Sequence, residues 1–158
     1  MEVAGTKWLS SAEQRAWRNY IEATTLVFDA LDRQLQQDSG MPHAYYEILV
    51  RLSEAPDHTL RMSELADASR SSRSRLSHAV SRLEERGWVE RQECETDRRG
   101  QLAHLTPAGE QALVDAAPGH VEAVRRHVTD RLTPAQVRQL GDIGQAIVSG
   151  FPGSTPGD

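Results

Sequence analysis

One feature constrains this chain more than any other: an arginine-studded helix pattern runs straight into a hairpin pattern. Over 72–87, "SRSRLSHAVSRLEERG", Leu76, Ala79, Val80 and Leu83 recur at helical spacing and Gly87 supplies a left-handed stop. Two short β-like runs follow, 88–93 and 101–105. Between them lies "DRRG", read as the tip of a hairpin: Asp97, Arg98, Arg99 and Gly100.

The charge of the chain makes those arginines informative. The formal net charge is -5, yet residues 69–82 hold Arg70, Arg73, Arg75 and Arg82 and no acid. Residues 1–58 carry 5 basic and 9 acidic side chains, and residues 101–158 carry 4 and 6. A local basic stripe on an acidic protein still binds nucleic acid, because the field at the contact face matters more than the total. With one cysteine, Cys94, an internal disulfide is impossible. The N-terminus lacks a basic region followed by an apolar one, and no apolar run approaches the ~20 residues of a membrane span, so the expectation is a soluble cytoplasmic protein with no membrane partner.

The rest of the chain reads as helices around this centre. Ser10 and Ser11 each have Glu or Gln three residues on, the capping-box spacing. Trp17, Tyr20, Ile21, Thr24, Phe28, Leu31 and Leu35 then recur at helical spacing, so the first helix runs to about Gln37 and stops near Gly40 and Pro42. A second helix covers 44–56, with Tyr45, Ile48, Leu49 and Leu52 on one side. A short extended piece at 59–61 and a short third helix at 62–69 precede the arginine-rich one. Thr106-Pro107 and Thr133-Pro134 each start a helix, Thr as N-cap and Pro at the first helical position. The helix from Thr106 is expected to bury Leu113, Ala117, Val121, Val124, Val128 and Leu132 and to be kinked or interrupted at Pro118 and Gly119. The last carries Val137, Leu140, Ile143 and Ile147, and 151–158 reads as a disordered tail. The fold class is therefore mainly α with a small β-hairpin wing, and residues 60–105 have the order of a winged helix-turn-helix.

The two faces of the arginine-rich helix suggest what it does. Opposite its apolar row lie Ser74, Arg75, Ser77, His78, Ser81 and Arg82. Short serines let a helix backbone approach a groove, and Arg presents two parallel donors to the O6/N7 edge of guanine. With Arg70, Ser72, Arg73, Arg98 and Arg99, the residues Ser74, Arg75, Ser77, His78 and Arg82 are the candidates for DNA contact. A solvated helix face more commonly carries Glu and Lys pairs.

In helical order and in the segment "LADASRSSRSRLSHAVSRLEERGWVERQECETDRRGQLAHLTPAG", the chain resembles the MarR family of transcriptional regulators over about residues 10–149. The family's wing pattern of Asp, any residue, Arg, then Leu-Thr and Gly falls on Asp97, Arg99, Leu105, Thr106 and Gly109. The resemblance implies a helical dimerisation lobe from 1–40 and 107–150 and a winged helix-turn-helix DNA-binding lobe from 41–106. It implies a homodimer on a pseudo-palindromic operator, with the helix at 72–86 in the major groove and the wing at 94–100 in the minor groove. Arg99 is then the minor-groove residue and Asp97 orients the wing; Arg98 has no fixed role in the family pattern and is expected to contact phosphate. The resemblance also implies a small aromatic or phenolic effector between the lobes, for which Trp17, Tyr20, His43, Tyr45 and Tyr46 are candidates, and a repressor released by it.

Other chemistries find less support. Glu93 and Glu95 flank Cys94, and two such carboxylates would disfavour its thiolate, an expectation that argues against redox sensing. His43, His104, His120 and His127 fall in no metal-ligand spacing, so no metal or cofactor is expected. No Gly-x-Ser-x-Gly, Walker or dinucleotide motif is present, so the chain does not read as an enzyme. The alternatives to an effector-responsive DNA-binding regulator are a winged-helix protein–protein module without DNA binding and a metal- or redox-sensing regulator of the same fold.

Overall fold

The computed structural model describes residues 5–94 and 97–151, with the side chains of 94 and 97–99 outside the description. The expected tail beyond Phe151 and the side-chain roles expected of Cys94, Asp97, Arg98 and Arg99 lie outside the described residues.

Helix α1 (Ser11–Ser39) starts where Ser10 accepts from the Glu13 N–H and the Glu13 carboxylate accepts from Ser10 N–H at 2.7 Å, so the first of the two candidate caps is the one used. It ends at Gly40, whose φ of 61° is the left-handed conformation that lets the chain turn off a helix. Helix α2 (His43–Glu54) follows within three residues. Strand β1 (Thr59–Arg61), helix α3 (Met62–Ala68) and helix α4 (Arg73–Glu85) form the helix-turn-helix. Strands β2 (Val89–Cys94) and β3 (Asp97–Leu105) make the hairpin. The extended piece at Thr59–Arg61 joins it: Leu60 pairs with Ala103, giving a three-stranded antiparallel sheet in the order β1-β3-β2.

The hairpin reverses between Cys94 and Asp97, earlier than the sequence suggested. Asp97–Gly100 therefore belongs to β3 rather than to the tip. The register shifts between Glu93 and Cys94, so residues 98–100 fall between the Glu93–Gln101 and Cys94–Asp97 pairs. An irregularity of this kind bends a strand and re-aims its residues.

One apolar core ties the elements together. Leu49 and Leu52 of α2, Leu65 of α3, Leu76, Val80 and Leu83 of α4, and Val89 and Ala103 of the sheet are buried with Leu35 of α1 and Ala116 of α5. On α2 the tyrosines differ from the expected order: Tyr46 is the buried one and Tyr45 is only half-buried. Helix α5 (Pro107–His127) runs without a break through Pro118. Pro118 is exposed, as is Val114 four residues before it, so the carbonyl that loses its helical donor has access to water. The residues α5 buries are Gly109, Ala116 and Ala123, whereas Val121 is 55% exposed. Ala116, Gly119 and Ala123 share one side of α5, where a Cβ on Gly119 would fall 3.1 Å from Gln34 Nε2 of α1, so Val114 and Val121 on the opposite side turn outward. After a 3-10 turn at Thr129–Arg131, helix α6 (Pro134–Val148) buries none of its residues within the chain.

Candidate nucleic-acid interface

Helix α4 is set by its N-cap and by its apolar stripe. Ser72 Oγ accepts from the Arg75 N–H at 3.3 Å, and Leu76, Val80 and Leu83 fix which face turns inward. The opposite face is exposed: Arg73, Ser74, Arg75, Ser77, His78 and Arg82 all lie on the surface. Arg73 and Arg75 make no ion pair with the described residues. Arg82 Nη1 lies 2.8 Å from Glu85 Oε2, and this carboxylate holds the guanidinium pKa above its ordinary value. Arg70, in the turn before α4, has a φ of 49°. A non-glycine residue in that region costs roughly 1–2 kcal/mol, so the turn keeps an arginine where glycine would be cheaper.

A cleft of about 640 Å³ opens beside this face, between α1 and α2 on one side and the turn at 69–71 with α4 on the other. Its walls include Phe28, His43, Tyr45 and Ile48 opposite Arg75, His78 and Arg82. Of the five effector candidates, only His43 and Tyr45 line it. Tyr46 is core, its ring 4.4 Å from that of His120. Trp17 and Tyr20 lie against each other, 6.2 Å between ring centres, on the exposed outer half of α1. The family resemblance groups these two with the α2 aromatics, but it does not fix where along α1 the second helix packs. Among the described residues no group of three or more His, Cys, Asp and Glu side chains could hold a metal ion. Likewise no helix there is long and apolar enough to cross a membrane.

Two arginines beside the site escaped the sequence reading. Arg86 Nη2 donates to the Gly40 carbonyl at 2.9 Å while its guanidinium stacks 4.8 Å from the Trp88 ring, tying the end of α4 to the end of α1. Arg91 on β2 reaches α4, where Nη2 donates to Ser77 O at 2.7 Å and Nη1 pairs with Glu84 at 2.8 Å. The available signal was period two: Arg91 is two residues from the buried Val89 and shares its side of the strand.

The Leu-Thr-x-x-Gly element also acquires a physical reason. Thr106 Oγ1 donates to Gly87 O at 2.6 Å and accepts from the Gly109 N–H at 3.1 Å. A Cβ on Gly109 would fall 2.1 Å from the Trp88 carbonyl oxygen. Threonine and glycine at these places seat the start of α5 on the junction between α4 and β2.

Comparison with known proteins agrees with this geometry. The sequence model described as "MarR family" matches residues 39–100, the helix-turn-helix and most of the wing. A solved MarR family transcriptional regulator from Streptomyces coelicolor, Sco3205 in complex with DNA, is 54% identical with a TM-score of 0.90, covering 96% of this chain and 95% of that one. AbsC, another MarR family regulator from Streptomyces coelicolor, is 42% identical with a TM-score of 0.86, over 92% of this chain and 97% of that one. The transcriptional repressor MprA of Escherichia coli is 29% identical over 110 residues, 70% of this chain, and the match spans only 62% of MprA. With its winged helix-turn-helix built from these residues and a relative this close over nearly its whole length, the chain belongs to the MarR family of transcriptional regulators.

Proposed function

We propose that the protein is a cytoplasmic, sequence-specific repressor that binds a pseudo-palindromic double-stranded operator as a homodimer and is released by a small aromatic or phenolic ligand. The observation that carries this reading is the exposed face of α4. Ser74, Arg75 and His78 share it with Arg82, its one acid is Glu85 in the last turn, and the apolar stripe behind it is locked into the core. In this reading residues 72–86 enter the major groove and the wing at 94–100 enters the minor groove. Arg99 is the inserted cation, Asp97 orients it and Arg98 meets phosphate. The 640 Å³ cleft, with Phe28 and Tyr45 on one wall and cationic side chains on the other, has the shape and chemistry for the ligand. The dimerisation lobe comprises 1–40 and 107–150, and 41–106 is the DNA-binding lobe.

The test is selection of duplexes from a randomised pool by the whole protein, followed by titration of the selected duplex at several salt concentrations. The expected result is an inverted-repeat consensus with half-sites roughly 10–10.5 bp apart, and an affinity that falls steeply with salt. Enrichment of no duplex would reject the reading.

A further inference from the structure

We infer that Arg91 is the positioning residue that sets the rotational angle of the recognition helix, and through that angle the protein's ability to tell one base sequence from another. The second half of this inference rests on the DNA-binding reading above. Arg91 makes five polar contacts with α4, all along one stripe. Its backbone N–H donates to Glu84 Oε1 at 3.2 Å, and Nη1 lies 2.8 Å from Glu84 Oε2. Nη2 donates to Ser77 O at 2.7 Å, to Ser77 Oγ at 3.2 Å and to Ser81 Oγ at 3.1 Å. Ser77, Ser81 and Glu84 stand at i, i+4 and i+7, so a single side chain grips two turns of the helix.

The position of that stripe gives the grip its consequence. At 100° per residue, the buried row of Leu76, Val80 and Leu83 occupies one side of α4, and the Ser77–Ser81–Glu84 row lies on its flank toward the sheet. The outward face of Ser74, His78 and Arg82 comes next, with Arg75 at its far edge, and Ala79 beyond it continues the wall of the cleft that this face also lines. The helix is therefore clamped toward the wing and bordered by open space on the other side. Leucine and valine contacts behind it resist separation from the core but, being non-directional, resist rolling poorly. Directional hydrogen bonds from a forked guanidinium resist rolling well. The arrangement also reassigns two side chains: Ser77, expected to face DNA, and Ser81 hold their oxygens toward Arg91.

Two measurements on the full-length protein test this. In the first, without DNA, amide hydrogen exchange is compared between the unaltered protein and Arg91→Ala. Exchange over 77–85 should accelerate about tenfold or more while α2 and α5 keep their rates, because only the local hold on α4 is lost. Arg91→Lys should not restore the slow rates, since an ammonium cannot span Ser77, Ser81 and Glu84 together. In the second, the selected duplex is compared with a scrambled one of equal length. Arg91→Ala should shrink the ratio of the two affinities about tenfold and leave the salt slope unchanged, because base contacts depend on orientation more than phosphate contacts do. The inference is overturned if α4 exchange stays unchanged, or if exchange accelerates with an unmoved ratio. Equal losses on both duplexes with the slope reduced by about one would make Arg91 a phosphate contact instead. Failure of the unaltered protein to select any duplex would remove the DNA-binding reading and overturn the specificity role, while the exchange measurement would still decide the grip.

Discussion

At the scale of single residues, the arginines of this chain divide by what they touch. Arg86 and Arg91 are spent on the protein's own carbonyl, hydroxyl and carboxylate oxygens, and Arg82 on Glu85. Arg75 stands exposed on the outward side of α4, which favours it for reading bases under the proposed function. Arg75→Ala should therefore weaken the selected duplex by roughly 1–3 kcal/mol more than a random one and relax preference at one base pair, whereas Arg99→Ala should lower the salt slope by about one unit per half-site. Binding curves for both variants on both duplexes check this, and equal losses for Arg75→Ala would move it to the phosphate class. His120 offers a prediction of a different kind. Its Nδ1 is buried with no hydrogen-bond partner among the described residues, and burial first, then the neighbouring His43, hold its pKa below 6.5 against the opposing pull of Glu47. Below its ordinary pKa the unfolded chain takes up a proton that the folded chain refuses. Stability is thus full above about pH 6.5 and is lost as pH falls toward the folded pKa. Urea midpoints between pH 7.5 and 5 should decline, and His120→Gln should flatten the decline; an equally steep fall in the variant would show that His120 does not contribute.

At the scale of elements, the decisive joint is the one between α4, β2 and α5. Gly87, with a φ of 71°, turns the chain off α4 toward Trp88 and β2. Thr106 then bonds back to the Gly87 carbonyl, and Gly109 fits under the Trp88 carbonyl. Gly109→Ala sets a methyl group against fixed backbone 2.1 Å away and against Leu105 Cδ1 at 2.8 Å, so either the helix or the strand must shift. The expected cost is roughly 3 kcal/mol, at the upper end for overpacking. In a chain of this size that lowers the melting temperature by roughly 10 °C. Differential scanning calorimetry of the variant measures this directly, and an unchanged transition would mean that α5 moves away without penalty. Pro118 shows the opposite case, in which a residue with a strong local rule has little effect. The helix continues through it because the affected carbonyl is on the exposed side and the Ala116 and Ala123 face stays packed on α1.

At the scale of the whole molecule, the apolar surface is unevenly placed. Trp17, Tyr20, Leu26 and Phe28 on α1, Val114 and Val121 on α5, and Leu140, Ile143 and Ile147 on α6 are all exposed large apolar residues. Much of this surface lies on helices at the two ends of the chain, and contiguous apolar patches on soluble proteins mark contact sites. Under the proposed dimer, these helices of two copies cover one another. Deleting residues 1–20 removes Trp8, Trp17 and Tyr20, and should give a monomer or an aggregate by light scattering coupled to size exclusion. A well-behaved dimer of the shortened chain would place the contact elsewhere.

Sequence alone determined the element order, because its signals are local. Serine and threonine caps, proline at first helical positions, glycine stops and the 3.6-residue apolar row of α4 each act within a few residues of chain. The exposed arginine face of α4 was legible for the same reason, since burying one helical stripe fixes the opposite one. Tertiary structure decided everything that depends on distance between elements. It showed Tyr46 rather than Tyr45 in the core, Trp17 and Tyr20 far from the cleft, and Val121 outside with Ala116 and Ala123 inside. It also showed Arg91 bonded across fourteen residues to Ser77. Periodicity says which side chains share a face, but not which neighbour that face meets. A charged side chain's partners are set by the packing of a sheet on a helix, which no local pattern encodes.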